Sequence, residues 1–290
     1  MARWSVALGM TLLCFVNAAA EAPDGKRIGE LTGLPVDVSD GVAKVTKPRS
    51  DINAVVDGRP LKPFQGTTSW AAFQQSGKST IVMGDVVLLE NEVNPALSAA
   101  LDNGLEVTAL HNHFLYDEPR IFFMHVGGAG DEAKLARAVR AVFDAAAGAP
   151  KANGFPGPAV PAGDTIDAAP LERIFGAHAQ TKDGMAKFVF GRTTKMHGTT
   201  VGAPMGVNTW ATFAGGNAVA IVDGDFAMLE PELQGVLRAL RSSDINIVAI
   251  HTHMAHEEPR IVFLHFWGKG SAEALARGIQ AARRTQKAAE

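Results

Sequence analysis

Leu110-His-Asn-His-Phe-Leu-Tyr-Asp-Glu-Pro-Arg-Ile-Phe-Phe-Met-His125 is answered 140 residues later by Ile250-His-Thr-His-Met-Ala-His-Glu-Glu-Pro-Arg-Ile-Val-Phe-Leu-His265. Each stretch carries a His-x-His pair, a Glu-Pro-Arg turn and a third histidine, in one register with no gap. Alternate residues of a strand share a face, so His111 and His113 project together. A hairpin centred on Tyr116 and Asp117 sets His111 opposite Phe123 and His125 opposite Ala109, which makes His125 a diagonal neighbour of His111. The same parity groups His251, His253 and His265. Three convergent imidazoles with a fourth position left for water or substrate form the ligand set of an open tetrahedral metal site.

The repetition extends outward from these stretches. Gly66, Trp70, Phe73, Gly84-Asp85, Leu89-Glu90 and Glu92 recur at the same offset as Gly206, Trp210, Phe213, Gly224-Asp225, Leu229-Glu230 and Glu232. Further upstream, Gly33, Asp40-Gly41, Lys44 and Arg49 recur at an offset of 143 as Gly176, Asp183-Gly184, Lys187 and Arg192. A three-residue deletion near 198–204 accounts for the change of offset. Two long copies, too long for solenoid repeats, divide the chain into repeat 1 (21–147), a Gly/Pro/Ala-rich linker (148–169) and repeat 2 (170–290).

Within a copy, Asp40-Gly41 and Asp183-Gly184 predict hairpin turns. Alternating runs predict strands over 68–74 and 79–89, and Pro95–Leu101 reads as a short helix with Asn94 as its N-cap. The histidine strand (105–114) and its return (120–126) precede an Ala/Arg-rich amphipathic helix over 131–144, repeated at 271–284. The fold class is α+β: two tandem ββαββα-type repeats, mainly antiparallel, in a pseudo-twofold relation.

The first twenty residues read as an export signal. Arg3 gives a positive start, 6–16 are apolar, and Ala18-Ala19-Ala20 form a small-residue cleavage pattern. Cleavage near Ala20 gives a periplasmic or secreted protein and removes Cys14, the only cysteine, so neither a disulfide nor a thiolate ligand is expected. A net charge of −3 offers no footprint for nucleic acid, and no later stretch is apolar enough to span a membrane.

A lone strand histidine is usually an ordinary polar residue, but six of the nine histidines fall in two superimposable triads. The expected cofactor is therefore a divalent transition metal in each copy. Zinc is favoured, and copper and iron are also compatible with imidazole. Glu118 and Glu258, on the following loops, are candidate general bases for metal-bound water. Arg120 and Arg260 are candidates for binding an anionic substrate group. Asp85, Asp225, Asp117 and Glu257 read as turn acids, the glutamates at 90, 92, 230 and 232 as helix-start acids, and Trp70 and Trp210 as core anchors. Metal-assisted hydrolysis is the enzymatic reading. A non-catalytic envelope metal- or ligand-binding protein and a metal-free polar histidine interface between the halves are the alternatives.

The run Val107-Thr-Ala-Leu-His-Asn-His, followed by Glu118-Pro-Arg, Phe123-Met-His125 and a Leu-Ala-Arg helix, resembles a domain-of-unknown-function family of exported bacterial proteins that includes the mycobacterial lipoproteins LppY and LpqO. The resemblance covers both halves, although Thr252 and Met254 depart from it. It implies the same repeated unit and histidine site, and names no reaction. A weaker likeness to the cupin motif His-x-His-x4-Glu ends where a helix follows instead of further strands.

Overall fold

A computed structural model describes residues 22–151, 154 and 157–286; the stretch read as an export signal lies outside them. The first half runs α1 (Gly25–Thr32), β1 (Val36–Ser39), β2 (Val42–Pro48), β3 (Thr68–Ser76), β4 (Ser79–Leu89), α2 (Val93–Asp102), β5 (Glu106–His111), β6 (Ile121–Gly130) and α3 (Glu132–Ala147). The second repeats that order as α4 (Ala168–Phe175), β7 (Gln180–Lys182), β8 (Met185–Gly191), β9 (Asn208–Gly215), β10 (Ala220–Leu229), α5 (Leu233–Arg241), β11 (Asn246–His251), β12 (Ile261–Gly270) and α6 (Ala272–Arg284). Each half thus opens with a helix that the ββαββα reading omits, followed by the hairpin expected at Asp40-Gly41 or Asp183-Gly184. The opening helices are eight residues long and bury only Ile28 and Thr32, or Leu171 and Phe175. Little periodic signal survives at that length. Their ends are nonetheless well marked, by Asp24 and Asp167 as N-caps and by Gly33 and Gly176 in the left-handed conformation.

Five further short strands (Val55–Val56, Arg59–Pro60, Asp117–Glu118, Thr194–Met196 and Thr199–Val201) form two small sheets beside the main one. The twelve strands named above form that one antiparallel sheet in the order β1-β2-β3-β4-β6-β5-β11-β12-β10-β9-β8-β7, which reads the same from either edge. The halves meet at its centre, where β5 and β11 pair at Leu110 and Ile250. Two amide side chains reinforce this short seam. Asn94 on α2 accepts from Ile247 N (2.8 Å) and donates to its carbonyl (3.3 Å), while Gln234 on α5 does the same with Val107 at 3.1 and 2.9 Å. Both partners lie where the ladder shifts register, between Val107 and Ala109 and between Ile247 and Ala249. The expected N-cap role of Asn94 is therefore corrected: α2 starts one residue before it, and its amide is engaged across the seam.

Strand β4 shows how the faces divide. Val82, Val86 and Leu88 join the main core with helix residues such as Leu97, Ala136 and Val139. Val87 and Leu89, of the other parity, join Ile52, Ala54, Ile121 and Phe123 in a smaller cluster, while Ile81 and Met83 are exposed. All six helices thus contribute buried residues to one large core, and much of the opposite face is open. Asp85 and Asp225 stand on that open face, in the middle of strands paired on both sides. They are not turn acids. The glycine before each faces the crowded side, where a Cβ on Gly224 would collide with the Trp210 carbonyl and the Phe266 ring.

Candidate metal centre

Cross-strand register builds the site. Trp210, Asp225, His265 and Ala249 form one row across β9, β10, β12 and β11, and Trp70, Asp85, His125 and Ala109 form the matching row in the first half. The expected pairings of His111 with Phe123 and of His125 with Ala109 are those observed. The histidine strands end at His111 and His251, so His113 and His253 lie just beyond them. Each is held on the same face by a ring stacked on the strand opposite. His113 lies on Phe123 at 3.3 Å between ring centres, and His253 on Phe263 at 3.5 Å.

In the second half the ligand atoms close into a triangle. His251 Nε2 and His253 Nε2 are 3.1 Å apart, and Asp225 Oδ2 lies 3.3 Å from His253 Nε2 and 3.9 Å from His251 Nε2. Ligands at about 2.0–2.1 Å from a tetrahedral zinc are roughly 3.3 Å from one another, so these edges match one face of such a polyhedron. Asp225, His251 and His253 are the one group of three such residues, among those described, whose ligand atoms converge within 4.8 Å. His265 stacks on His251 at 4.7 Å, and its Nδ1 is placed to donate to the Gly224 carbonyl at 3.2 Å. That bond would select the tautomer with a free Nε2 lone pair, as an oriented ligand requires.

The electrostatics suit a cation. Burial, with His265 and His253 adding to it, pushes the His251 imidazole down to about 4, so it is neutral and its lone pair is available at neutral pH. Burial also raises the Asp225 carboxyl, against the opposing pull of His265, His253 and the Leu264 N–H. A bound metal would supply positive charge to this buried carboxylate and take up the His251 lone pair.

The first half repeats the arrangement, although no three ligand atoms among its described residues converge within 4.8 Å. His111 lies 5.1 Å from His113 and 5.0 Å from His125 between ring centres. Asp225 Oδ1 accepts from Leu264 N at 3.1 Å, whereas the corresponding buried oxygen, Asp85 Oδ1, has no hydrogen-bond partner. Burial lowers the His113 pKa, partly offset by the Asp85 charge. Each triad is built within one half, while Leu110, Ile250, the two amides and a hydrogen bond from Arg241 Nε to Ser98 Oγ (3.0 Å) cross the seam.

The loops after the triads hold the remaining candidates. Glu118 and Glu258 are exposed; the Glu118 backbone pairs with Val55 and the Glu258 backbone with Lys195 at 3.0 Å. Neither carboxylate belongs to the converging group. Arg120 is exposed, and Arg260 lines a groove of about 520 Å³ with Glu106, Thr108, Glu230 and Gln234, none of them a histidine. Asp117 and Glu257 are buried and accept from Ile121 N (2.6 Å) and Ile261 N (3.1 Å), which corrects their reading as solvated turn acids. Glu92 and Glu232 do accept from Leu89 N and Leu229 N ahead of their helices. They also pair with Arg49 and Arg192, which reach the carbonyls of Val87 and Ala227. These ion pairs anchor the ends of the strands that carry the two aspartates. Trp70 and Trp210 are half-buried on the open face, not core anchors.

A family model described as Domain of Unknown Function (DUF1259) matches residues 26–145 and again 169–285. No curated protein matches. Among solved structures, a trimeric bacterial microcompartment shell protein, PduB, is 13% identical, with 87% of this chain and 90% of that chain covered and a TM-score of 0.20. EtuB from Clostridium kluyveri is 12% identical, with 86% and 89% covered and a TM-score of 0.22. At such scores the likeness bears on neither fold nor function.

Proposed function

The chain belongs to the domain-of-unknown-function family DUF1259, matched once in each repeat, and on that footing we propose that it is an exported protein that binds a transition metal, zinc before copper or iron. The observation that carries this reading is the triangle of Asp225 Oδ2, His251 Nε2 and His253 Nε2, with edges of 3.1–3.9 Å. His265 completes the second centre, and His111, His113, His125 and Asp85 form its counterpart in a pseudo-twofold-related half. Export rests on the pattern of the first twenty residues, as does periplasmic or secreted residence.

The centres suit metal-assisted hydrolysis. Three protein ligands, as in the Asp225–His251–His253 triangle, would leave a fourth tetrahedral position on the exposed side, where the His253 side chain is 37% accessible. A metal held by these residues would lower the pKa of bound water toward about 7. Glu118 and Glu258 are the proposed proton acceptors, and Arg120 and Arg260 the proposed contacts for an anionic substrate. A non-catalytic metal carrier is the second reading, favoured by the exposure of both glutamates.

Metal analysis of the untagged, dialysed protein, followed by zinc titration, tests the proposal. Near-stoichiometric zinc is expected, and Asp225→Ala with His253→Ala should reduce uptake at the second centre by at least tenfold. A folded wild-type chain that takes up neither zinc, copper nor iron would refute the proposal. Given a hydrolysed ester or phosphoester substrate, Glu118→Gln with Glu258→Gln should abolish turnover and leave metal content intact; unchanged turnover would remove the glutamates as bases.

A further inference from the structure

On the open face each candidate centre is flanked by a tryptophan and a lysine. Trp70 is paired with Asp85, and Trp210 with Asp225, so each indole is rooted one strand, about 4.8 Å, from the carboxylate. Lys44 and Lys187 lie one strand further out, on β2 and β8. Each folds inward over its tryptophan, with Lys44 Nζ 4.6 Å from the Trp70 ring centre and Lys187 Nζ 4.4 Å from that of Trp210.

A single lysine over a tryptophan is a common surface pair. Here the pair occurs beside both centres, although the lysines are 143 residues apart and the tryptophans 140. The deletion between them has not disturbed the geometry. Neither ammonium takes part in an ion pair at 4.0 Å or less among the described residues. The indole thus holds a positive charge beside the metal face, and at the second centre Asp223, across Thr212 from Lys187, also attracts it. Such a cation attracts a second negative charge on a ligand already bound to the metal.

We propose that Lys44 and Lys187, positioned by Trp70 and Trp210, hold the distal acidic group of a small dianion whose proximal group coordinates the metal. This rests on the metal reading above and narrows its ligand to short-chain diacids. The lysines are rooted two interstrand spacings, roughly 10 Å, from the aspartates and fold back over the intervening tryptophans, which calls for a short chain between the two acidic groups. Asp223, two residues before Asp225 on the same face, opposes the effect at the second centre, where Met83 is its counterpart in the first. Both lysines are therefore replaced together.

The test is calorimetric titration of zinc-loaded, full-length protein of measured metal content. The ligands are succinate, glutarate and adipate, each compared with the monoacid of equal chain length. At least one diacid should bind tenfold or more tightly than its monoacid. Lys44→Gln with Lys187→Gln should erase that preference at unchanged zinc content, and Lys44→Arg with Lys187→Arg should retain most of it. A wild type without preference for any diacid, or a Gln variant that keeps the preference, overturns the lysine assignment and leaves the metal reading standing. Failure to load zinc overturns both.

Discussion

At the scale of single residues, Asp225 and Asp85 explain most about the site. Each is buried on the sheet face away from the helices, and one imidazole beside each, His113 or His251, is pushed by burial toward its neutral form. This predicts opposite effects on stability and on binding. In metal-free protein, Asp85→Asn should be neutral or stabilising by up to about 1–2 kcal/mol in urea denaturation, because a buried unpartnered carboxylate oxygen is costly. The same substitution should weaken zinc binding at the first centre. A variant that is destabilised and binds zinc normally would mean that Asp85 has an ordinary structural role. The recurring Gly-Asp was visible in the sequence but its role was not. An acid after a glycine reads as a turn, and only the strand pairing on both sides shows that the glycine accommodates crowding.

At the scale of elements, the strand-rich middle of each copy was legible and its margins were not. Period-two arithmetic from the Glu-Pro-Arg hairpin places His111 opposite Phe123 because both strands are regular there. The same arithmetic is blind to the bulges at Val107 and Ile247, which let an amide from the opposite half join the ladder. It also missed the short opening helices. The arginine–glutamate pairs form between segments about forty residues apart, a distance that local patterns do not reach. They give a clear prediction. Arg49→Ala leaves Glu92 buried and unpaired and should cost about 3–5 kcal/mol, measurable as a lowered urea midpoint with the slope unchanged. Gly224→Ala should cost about 1–3 kcal/mol by overpacking and displace the Asp225 strand. Zinc affinity should therefore fall with stability, and an unaltered midpoint would contradict the close packing.

At the scale of the whole molecule, two copies share one sheet through a seam of a single paired position and two reciprocal amide clasps. Replacing Asn94 and Gln234 by Ala should cost about 1–3 kcal/mol for each pair of backbone groups left unsatisfied. Amide hydrogen exchange should quicken most at Val107 and Ile247, and uniform protection would show that the clasps are dispensable. Each triad belongs to its own half, so both centres should bind metal without cooperation between them. The central claim is the metal triangle, and anomalous diffraction at the zinc edge from zinc-soaked crystals tests it most directly. The account predicts a peak about 2.0–2.2 Å from Asp225 Oδ2, His251 Nε2 and His253 Nε2. Zinc bound elsewhere on the chain, with no peak inside that triangle, would contradict it.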